Sequence, residues 1–188
     1  MNNKPSFVPL WSHWARFTSY LTERFLGGPK ILKLAWVINF QKTGTFFYVL
    51  LLMNYYNNFS IAANVYLALH GMYGFCWILK HFAFPDKAWE KKVTIGGGLM
   101  AFLLVLALYW VFPFLLISDV LGPEQKIASV SLLSLAISIH TLAVVIMMVA
   151  DCQKYYTLKY HQGLIKEGLF KYIRHPNYLG EIMLSSAY

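Results

Sequence analysis

The sequence predicts an all-α fold, a polytopic membrane helical bundle with four full transmembrane helices, a truncated fifth helix and an N-terminal interfacial helix. Hydrophobic residues make up 58% of the 188 positions and charged residues 13%, whereas soluble domains contain about 45–50% and about 25%. Four apolar stretches reach or approach the roughly 20 helical residues that cross a hydrocarbon core. These two observations indicate an integral membrane protein.

The distribution of the basic residues predicts the topology. Fifteen of the 16 Lys and Arg residues precede or open the first apolar stretch, separate the second from the third, or follow the fourth. Only Lys126, beside Asp119 and Glu124, falls on the other side. Because cytoplasmic loops collect Lys and Arg, we expect the basic loops to be cytoplasmic, in a bacterial inner membrane or the endoplasmic reticulum. The net charge of +8 therefore indicates a lipid bilayer as partner and no nucleic acid, and the oligomeric state stays open.

Residues 1–30 are predicted to form an N-terminal amphipathic segment. Within Pro9–Leu26, large apolar side chains fall on one helical face at about 100° per residue, and polar side chains fall opposite. The apolar face comprises Trp11, Trp14, Leu21 and Phe25, and the polar face comprises Ser12, His13, Arg16 and Glu23. Such a helix either lies in the headgroup plane or packs against the ends of the bundle, and the sequence leaves both open.

Residues 31–188 are predicted to form the membrane domain. Its full spans are, in order, Gly44–Tyr56 with a polar lead-in from Trp36, Ile61–Leu79, Val93–Ile117 and Ile127–Ala150. The third span opens with three consecutive glycines, which predict a close helix contact. It also contains Pro113, which predicts a kink because proline lacks a backbone N–H.

Two histidines lie within the predicted spans, where ionisable residues normally face the bundle interior or a wet cavity. His70 shares a helical face with Tyr73, and His140 shares one with Asp151. Each histidine is interpreted either as one partner of an interhelical hydrogen bond or as a contact to a polar group of a substrate. Neither of the two cysteines has a neighbour at metal-ligand spacing, so no metal site is predicted.

The region 151–188 concentrates polar residues at a membrane boundary, and polar groups packed this densely indicate binding. Its most informative part is the run Gly168-Leu-Phe-Lys-Tyr-Ile-Arg-His-Pro-Asn-Tyr-Leu-Gly-Glu181. Arg174 can bind phosphate or carboxylate oxygens in a bidentate manner. Pro176 predicts the start of the next helix, because proline is favoured in the first helical turn. We interpret the region as a cytoplasmic cofactor motif.

This run, together with Asp151-x-Gln153-Lys154, resembles the C-terminal signature of a membrane superfamily. The superfamily contains steroid 5-alpha-reductases, sterol C14/C7 reductases, isoprenylcysteine carboxyl methyltransferases and a large uncharacterised reductase-like family. The chain is most similar to the last of these, which also shows elements like Leu69-His70-Gly71-x-Tyr73-Gly74 and Phe84-Pro85-Asp86-Lys87. The resemblance therefore extends from the first span to the end of the chain.

The resemblance implies an NADPH-dependent reductase that passes a hydride to the β-carbon of a polarised double bond in a lipophilic, steroid- or lipid-like substrate. It implies that seven residues line the cofactor pocket: Asp151, Lys154, Arg174, His175, Asn177, Tyr178 and Glu181. Among these, Lys154 and Arg174 would contact phosphate oxygens. A donor in a dry cavity would stabilise the developing enolate charge. The candidates for this catalytic role are His70, His140, Tyr73 and Tyr66.

Two other functions stay open. Reductase members place an acidic residue after Asn-Tyr-Leu-Gly, as Glu181 does here, whereas the prenylcysteine methyltransferases place tryptophan there. Glu181 therefore favours a nicotinamide over S-adenosylmethionine, the cofactor of the alternative methyltransferase. Family members continue past this motif with further hydrophobic segments and a basic, aromatic tail, whereas this sequence stops at Tyr188. We therefore expect an incomplete cofactor pocket, and an inactive fragment or accessory membrane subunit is the third possibility.

Overall fold

The protein is largely helical in the computed structural model, which describes residues 10–118, 120 and 129–187. Across these residues the chain forms six helices and, outside them, one short 3₁₀ turn (Gly168–Lys171). The helices are α1 (Leu10–Glu23), α2 (Leu34–Tyr55), α3 (Ile61–Ala83), α4 (Ile95–Ile117), α5 (Val130–Tyr160) and α6 (Pro176–Ser186). The predicted outer-loop residues Asp119, Glu124 and Lys126 lie outside the described residues, as do residues 1–9 and the predicted start of the fourth span.

Three helices in the described part of the chain, α3, α4 and α5, are long and apolar enough to span a membrane. The first two have 23 residues each and the third has 31, so they are about 34 Å and about 46 Å long at 1.5 Å per residue. They indicate an integral membrane protein and agree with three of the four predicted full spans. Helix α5 continues beyond the predicted end at Ala150, which places Asp151 and Lys154 on the same helix.

The remaining predicted span corresponds to α2, which has 22 residues but is not among the three apolar helices. Its polar side chains point into the bundle: Asn39, Gln41 and Thr45 are 4%, 2% and 7% exposed. The Thr45 hydroxyl donates to the Gln41 carbonyl at 2.8 Å and accepts from the Trp110 indole N–H at 2.9 Å. The low hydropathy of α2 therefore reflects its buried face. Membrane crossing by α2, and by the 11-residue α6, stays a prediction.

The fold is not purely helical, because a short antiparallel bridge joins the segments that precede α2 and α4. Strand β1 (Leu32–Lys33) pairs with strand β2 (Lys92–Val93), and Leu32 lies opposite Val93. The all-α prediction missed these strands, since two residues are too few to show an alternating pattern. The bridge satisfies backbone groups where two chain segments enter the bundle side by side.

Helix α1 is joined to the start of α4 through glycines. A Cβ added at Gly96 would meet the Phe25 carbonyl oxygen at 2.5 Å, and one at Gly97 would meet the Glu23 carbonyl carbon at 2.8 Å. The predicted close contact is therefore confirmed, and its partner is the end of α1. Three aromatic side chains of α1 remain exposed: Trp14, Phe17 and Tyr20. The helix thus packs on the bundle at one end, and contact of its exposed face with headgroups stays a prediction.

Ion pairs connect the loops that carry many of the basic residues. These pairs are Lys33–Glu90 (2.8 Å), Lys91–Glu23 (2.7 Å) and Lys154–Asp86 (3.5 Å). They join the N-terminal segment, the α3–α4 loop and the end of α5, so the three segments lie on one side of the bundle, as the charge pattern predicts. The hydrogen bond from Lys91 lowers the pKa of the Glu23 carboxyl below its usual value. The cytoplasmic orientation of this basic side stays a prediction.

Helix α4 is irregular in its middle. A π-helical turn (Phe102–Leu106) is followed by a 3₁₀ turn (Ala107–Trp110), and regular α-helix resumes at Val111. Pro113 cannot donate a hydrogen bond to the Tyr109 carbonyl. This explains why the backbone hydrogen-bond pattern of the α-helix is interrupted just before Pro113. Helix α4 is therefore irregular on the N-terminal side of the proline, and the kink itself stays a prediction.

Candidate functional site

A cavity of about 490 Å³ lies between α2, α3, α4 and the end of α6, within the roughly 300–1,000 Å³ range of ligand sites. We call it the central cavity. Its α4 wall is apolar and consists mainly of Leu104, Val105, Leu108 and Phe112. Most of its polar lining comes from α2 and α3 and consists of Gln41, Lys42, Thr45, Tyr66, His70 and Tyr73, to which α4 adds Tyr109 and α6 adds Ser185. An apolar wall with a few converging polar groups suits a lipophilic molecule that has a polar head.

A π-helical turn in α3 (Leu67–Gly71) contains His70. Such turns often occur at functional sites, because the extra residue changes the direction of neighbouring side chains. The turn lies close against α2, since a Cβ at Gly71 would meet the Phe46 ring at 2.6 Å. This local geometry places His70 in the wall of the central cavity.

The structure brings the predicted catalytic residues together. The ring centroids of His70 and His140 are 5.0 Å apart, and those of Tyr73 and His140 are 6.4 Å apart. His70 and Tyr73 line the central cavity, whereas His140 is 3% exposed and packs against their rings. Within the described residues, His140 Nε2 has no hydrogen-bond partner. The rings of the two histidines therefore contact each other across α3 and α5. Their role in catalysis stays a prediction.

Lys42 of α2 is a cavity residue that the sequence alone does not single out. Its ammonium nitrogen lies 4.9 Å from the ring centroid of Tyr73, 5.4 Å from that of Trp77 and 5.1 Å from that of Tyr109. Cation–π attraction from three rings stabilises the charge where water is scarce. No residue that the structure describes forms a hydrogen bond or a salt bridge with this group.

A buried ion pair joins α3 to α5. Lys80 Nζ and Asp151 Oδ2 are 2.5 Å apart, and the two side chains are 5% and 12% exposed. The same ammonium group lies 4.1 Å from the ring centroid of Trp77. Glu181 of α6 lies within electrostatic range of Lys42, Lys80 and Asp151. Beside this ion pair, Lys42 and Glu181 are therefore near enough to interact electrostatically, and we call these four residues from four helices the charge cluster.

Helix α6 connects the predicted cofactor motif with the central cavity. It begins at Pro176, which occupies its first turn as predicted. It packs closely against α5, since a Cβ at Gly180 would meet the Ala143 carbonyl oxygen at 2.9 Å. Farther along, Leu184 and Ser185 line the central cavity. One continuous helix thus begins at the motif and ends beside the candidate substrate space.

Apart from Glu181, the predicted cofactor residues fall into two groups outside the central cavity. A groove of about 140 Å³ between the α3–α4 loop and α5 is lined by Phe84, Pro85, Tyr155 and Leu158 together with the charged residues Lys80, Asp86, Lys87, Asp151 and Lys154. We call it the charged groove. The second group lies at the start of α6, where Arg174, His175 and Tyr178 are exposed and Asn177 is partly buried. In this group the ring centroids of His175 and Tyr178 are 5.4 Å apart.

Gln153 fixes the chain between these two groups. Its side-chain amide donates to the Glu167 carbonyl at 2.8 Å and accepts from the Leu169 N–H at 3.1 Å. Gly168, between them, has a φ of +55°, and a Cβ there would meet the Gln153 side-chain oxygen at 2.6 Å. The left-handed φ and the lack of space both favour glycine. These contacts explain why the motif combines a glutamine with a glycine.

Replacing Gln153 with alanine is expected to loosen the loop at residues 161–168. The change removes two hydrogen bonds, each worth about 0.5–1.5 kcal/mol of net stability, and leaves the packing of α5 intact. We expect faster cleavage of the loop in limited proteolysis followed by mass spectrometry. The matched control is Gln162→Ala, because Gln162 is exposed in the same loop. Equal cleavage rates in the two variants would contradict the prediction.

Comparison with known proteins identifies the family. A family model described as a protein of unknown function (DUF1295) matches residues 80–187, more than half of the chain. The chain belongs to the DUF1295 family. This is a steroid 5-alpha-reductase-like membrane family, so the predicted resemblance holds at that level, and a closer placement within the superfamily stays a prediction. No curated protein and no solved structure matches the chain.

The DUF1295 match covers three members of the charge cluster, Lys80, Asp151 and Glu181, whereas Lys42 lies upstream of it. Sequence reasoning missed both lysines as site residues, because each stands at the edge of an apolar stretch among other basic residues. The sequence holds only an indirect signal for the position of Lys42. Gly74 of α3 lies against the Lys42 carbonyl, and small residues in a membrane helix predict that a neighbouring backbone comes close.

Proposed function

We propose that the protein is a membrane-embedded oxidoreductase that reduces a C=C bond of a lipophilic substrate with NADPH. The observation that carries the proposal is the course of α6, which begins at the cofactor motif and ends in the wall of the central cavity. A reductase of this kind must bring a water-soluble cofactor and a lipophilic substrate to one place. Membership in a steroid 5-alpha-reductase-like membrane family supports the same function.

The residues of the motif fit a phosphate-bearing dinucleotide in charge and in donor chemistry. Lys87 and Lys154 line the charged groove, and Arg174 is exposed just before α6. Lys and Arg side chains bind phosphate oxygens, and Arg does so in a bidentate manner. The exposed rings of His175 and Tyr178 offer surfaces for hydrogen bonding and stacking. These residues would hold NADPH, which supplies a hydride when bound.

The central cavity provides the groups that the substrate needs. Its apolar α4 wall holds hydrocarbon and excludes water, while Lys42, His70 and Tyr73 offer polar groups. When the β-carbon of a polarised double bond gains a hydride, negative charge develops on the conjugated oxygen. A donor fixed at that oxygen lowers the barrier. A proton must then reach the α-carbon, and His70 or Tyr73 is the proposed source.

The proposal is tested by titrating NADPH into the full-length protein in lipid nanodiscs. We expect the wild type to bind and the Arg174→Ala/Asn177→Ala/Glu181→Ala variant to lose affinity by about 100-fold or more. Hydrogen bonds to charged groups contribute about 1.5–3 kcal/mol each, and about 1.4 kcal/mol corresponds to tenfold. The change in NADPH fluorescence measures the dissociation constant.

The matched control is Lys171→Ala, which removes a positive charge from the exposed 3₁₀ turn just before the motif. It should leave the affinity nearly unchanged. Unchanged affinity in the triple variant, or no NADPH binding by the wild type, would end the proposal. Binding of S-adenosylmethionine with transfer of a labelled methyl group to a lipid acceptor would establish the methyltransferase instead. Binding of neither cofactor would favour an accessory membrane subunit.

A further inference from the structure

A second cavity, of about 400 Å³, adjoins the central cavity. It lies between α3, α4, α5 and the end of α6, and its α5 wall is apolar, with Leu132, Leu133, Leu135, Ala136 and Ile139. We call it the side groove. Tyr66 and Phe112 line both spaces, so these two rings stand at the boundary between the central cavity and the side groove. Leu132 and Leu135 are each 55% exposed, which opens the groove toward the hydrocarbon of the membrane.

The central cavity contains one strong donor for which the described residues provide no acceptor. Lys42 is held by three aromatic rings, and Glu181 acts on it only at a distance. A charge in a water-poor interior is costly unless it is paired. An ammonium group has three N–H donors, and cation–π contacts leave them available to an oxygen atom. The combined space therefore offers a place for an oxygen at Lys42 and for hydrocarbon in the side groove.

We propose that the central cavity and the side groove form one binding site for a single-chain lipid. Lys42 binds an oxygen of its head group, and its hydrocarbon chain passes Tyr66 and Phe112 into the side groove. As a substrate site, this lipid site rests on the proposed function, and it makes single-chain lipids the substrate class. A flexible chain can pass between two side chains into an adjoining space, whereas a rigid fused-ring molecule fits a single compact space. Because the side groove is open to the bilayer, the ligand enters laterally from the membrane.

The test is photolabelling of the full-length protein in nanodiscs with hexadecanoic acid that carries a terminal diazirine. Mass spectrometry maps the cross-linked residues after illumination. We expect saturable labelling of the α4 and α5 residues that line the side groove, with stronger competition from hexadecanoic acid than from its methyl ester. Lys42→Met should reduce this labelling about tenfold or more, the effect of losing one hydrogen bond from a charged group.

Two matched pairs of variants make the result specific. Lys33→Met removes a cation that is paired with Glu90 at 2.8 Å near the surface, and it should leave the labelling unchanged. Ala136→Trp fills the side groove and should abolish labelling there. Ile137→Trp adds the same ring at a neighbouring position that is 40% exposed, and it should leave the labelling unchanged. The tryptophan pair tests the groove independently of how well Lys42→Met folds.

Labelling that neither Lys42→Met nor Ala136→Trp reduces would overturn the proposal. Labelling confined to cross-linked dimers would also overturn it, because the side groove would then be an interface between two copies of the chain. NADPH binding is measured on the same samples without added lipid. If the wild type does not bind NADPH but its side groove is labelled, the reductase is refuted and the lipid site stands. If the wild type binds NADPH but its side groove is not labelled, only the lipid site is refuted.

Discussion

Replacing Gly74 with valine is expected to lower the free energy of unfolding by about 3 kcal/mol or more, the upper end of the cost of overpacking. A Cβ at this position would overlap the Lys42 carbonyl oxygen and meet the Thr43 Cα at 3.2 Å. Both are backbone atoms of α2, so no side-chain rotation relieves the overlap, and α2 and α3 must separate. Titration of the full-length protein with SDS in mixed micelles measures the free energy.

The matched control is Leu79→Phe, which adds bulk to α3 at a side chain that is 68% exposed. We expect it to change the free energy of unfolding by less than about 0.5 kcal/mol, as surface substitutions usually do. A Gly74→Val protein as stable as this control would show that α2 does not lie so close to α3. It would also remove the basis for placing Lys42 in the central cavity, because this contact fixes the Lys42 backbone.

The spans and the start of α6 are predictable from sequence because their signals are local. Contact with hydrocarbon sets the composition of α3, α4 and α5 along most of their length, so hydropathy finds them. Proline has no N–H and a fixed φ, which suits the first helical turn, and α6 does begin at Pro176. The glycines that open α4 predict a close contact without naming its partner. The structure supplies that partner, which is the end of α1.

The charge cluster is not predictable in the same way, because it depends on which helices pack together. Lys80 and Asp151 each stand at the edge of an apolar stretch, where a polar residue is typical of a loop. The π-helical turn that directs His70 into the central cavity has no pattern in a single sequence. His70 and His140 are predictable individually, since polar residues within apolar spans face the interior. Their contact with each other follows only from the packing of α3 against α5.

A second large effect is expected for Asp151→Ala, which should lower the free energy of unfolding by about 3–5 kcal/mol, because removing one partner strands a buried charge. The stranded group is Lys80, whose side chain is 5% exposed. Lys80→Met/Asp151→Leu should recover most of the loss, since apolar residues of similar volume often replace a buried pair at little cost. SDS titration of the wild type, Lys80→Met, Asp151→Leu and Lys80→Met/Asp151→Leu measures the coupling, and Asp151→Ala is titrated beside them.

An exposed pair supplies the control for this cycle. Lys154 and Asp86 are 3.5 Å apart, and their side chains are 42% and 22% exposed. Exposed ion pairs contribute about 1 kcal/mol at most, so Lys154→Met should change the free energy of unfolding by no more than that. If Asp151→Ala is no more harmful than Lys154→Met, the Lys80–Asp151 pair does not hold α3 against α5.

The same variants separate two roles of Asp151, which is a predicted cofactor residue and also the partner of Lys80. If its carboxylate only joins α3 to α5, the double variant regains stability and binds NADPH as the wild type does. If it also contacts the cofactor, the double variant regains stability but loses affinity by about tenfold, as expected for one hydrogen bond to a charged group. We expect the second result, because Asp151 lines the charged groove beside Lys154. Wild-type affinity in a stable double variant would instead assign Asp151 to the packing of the bundle.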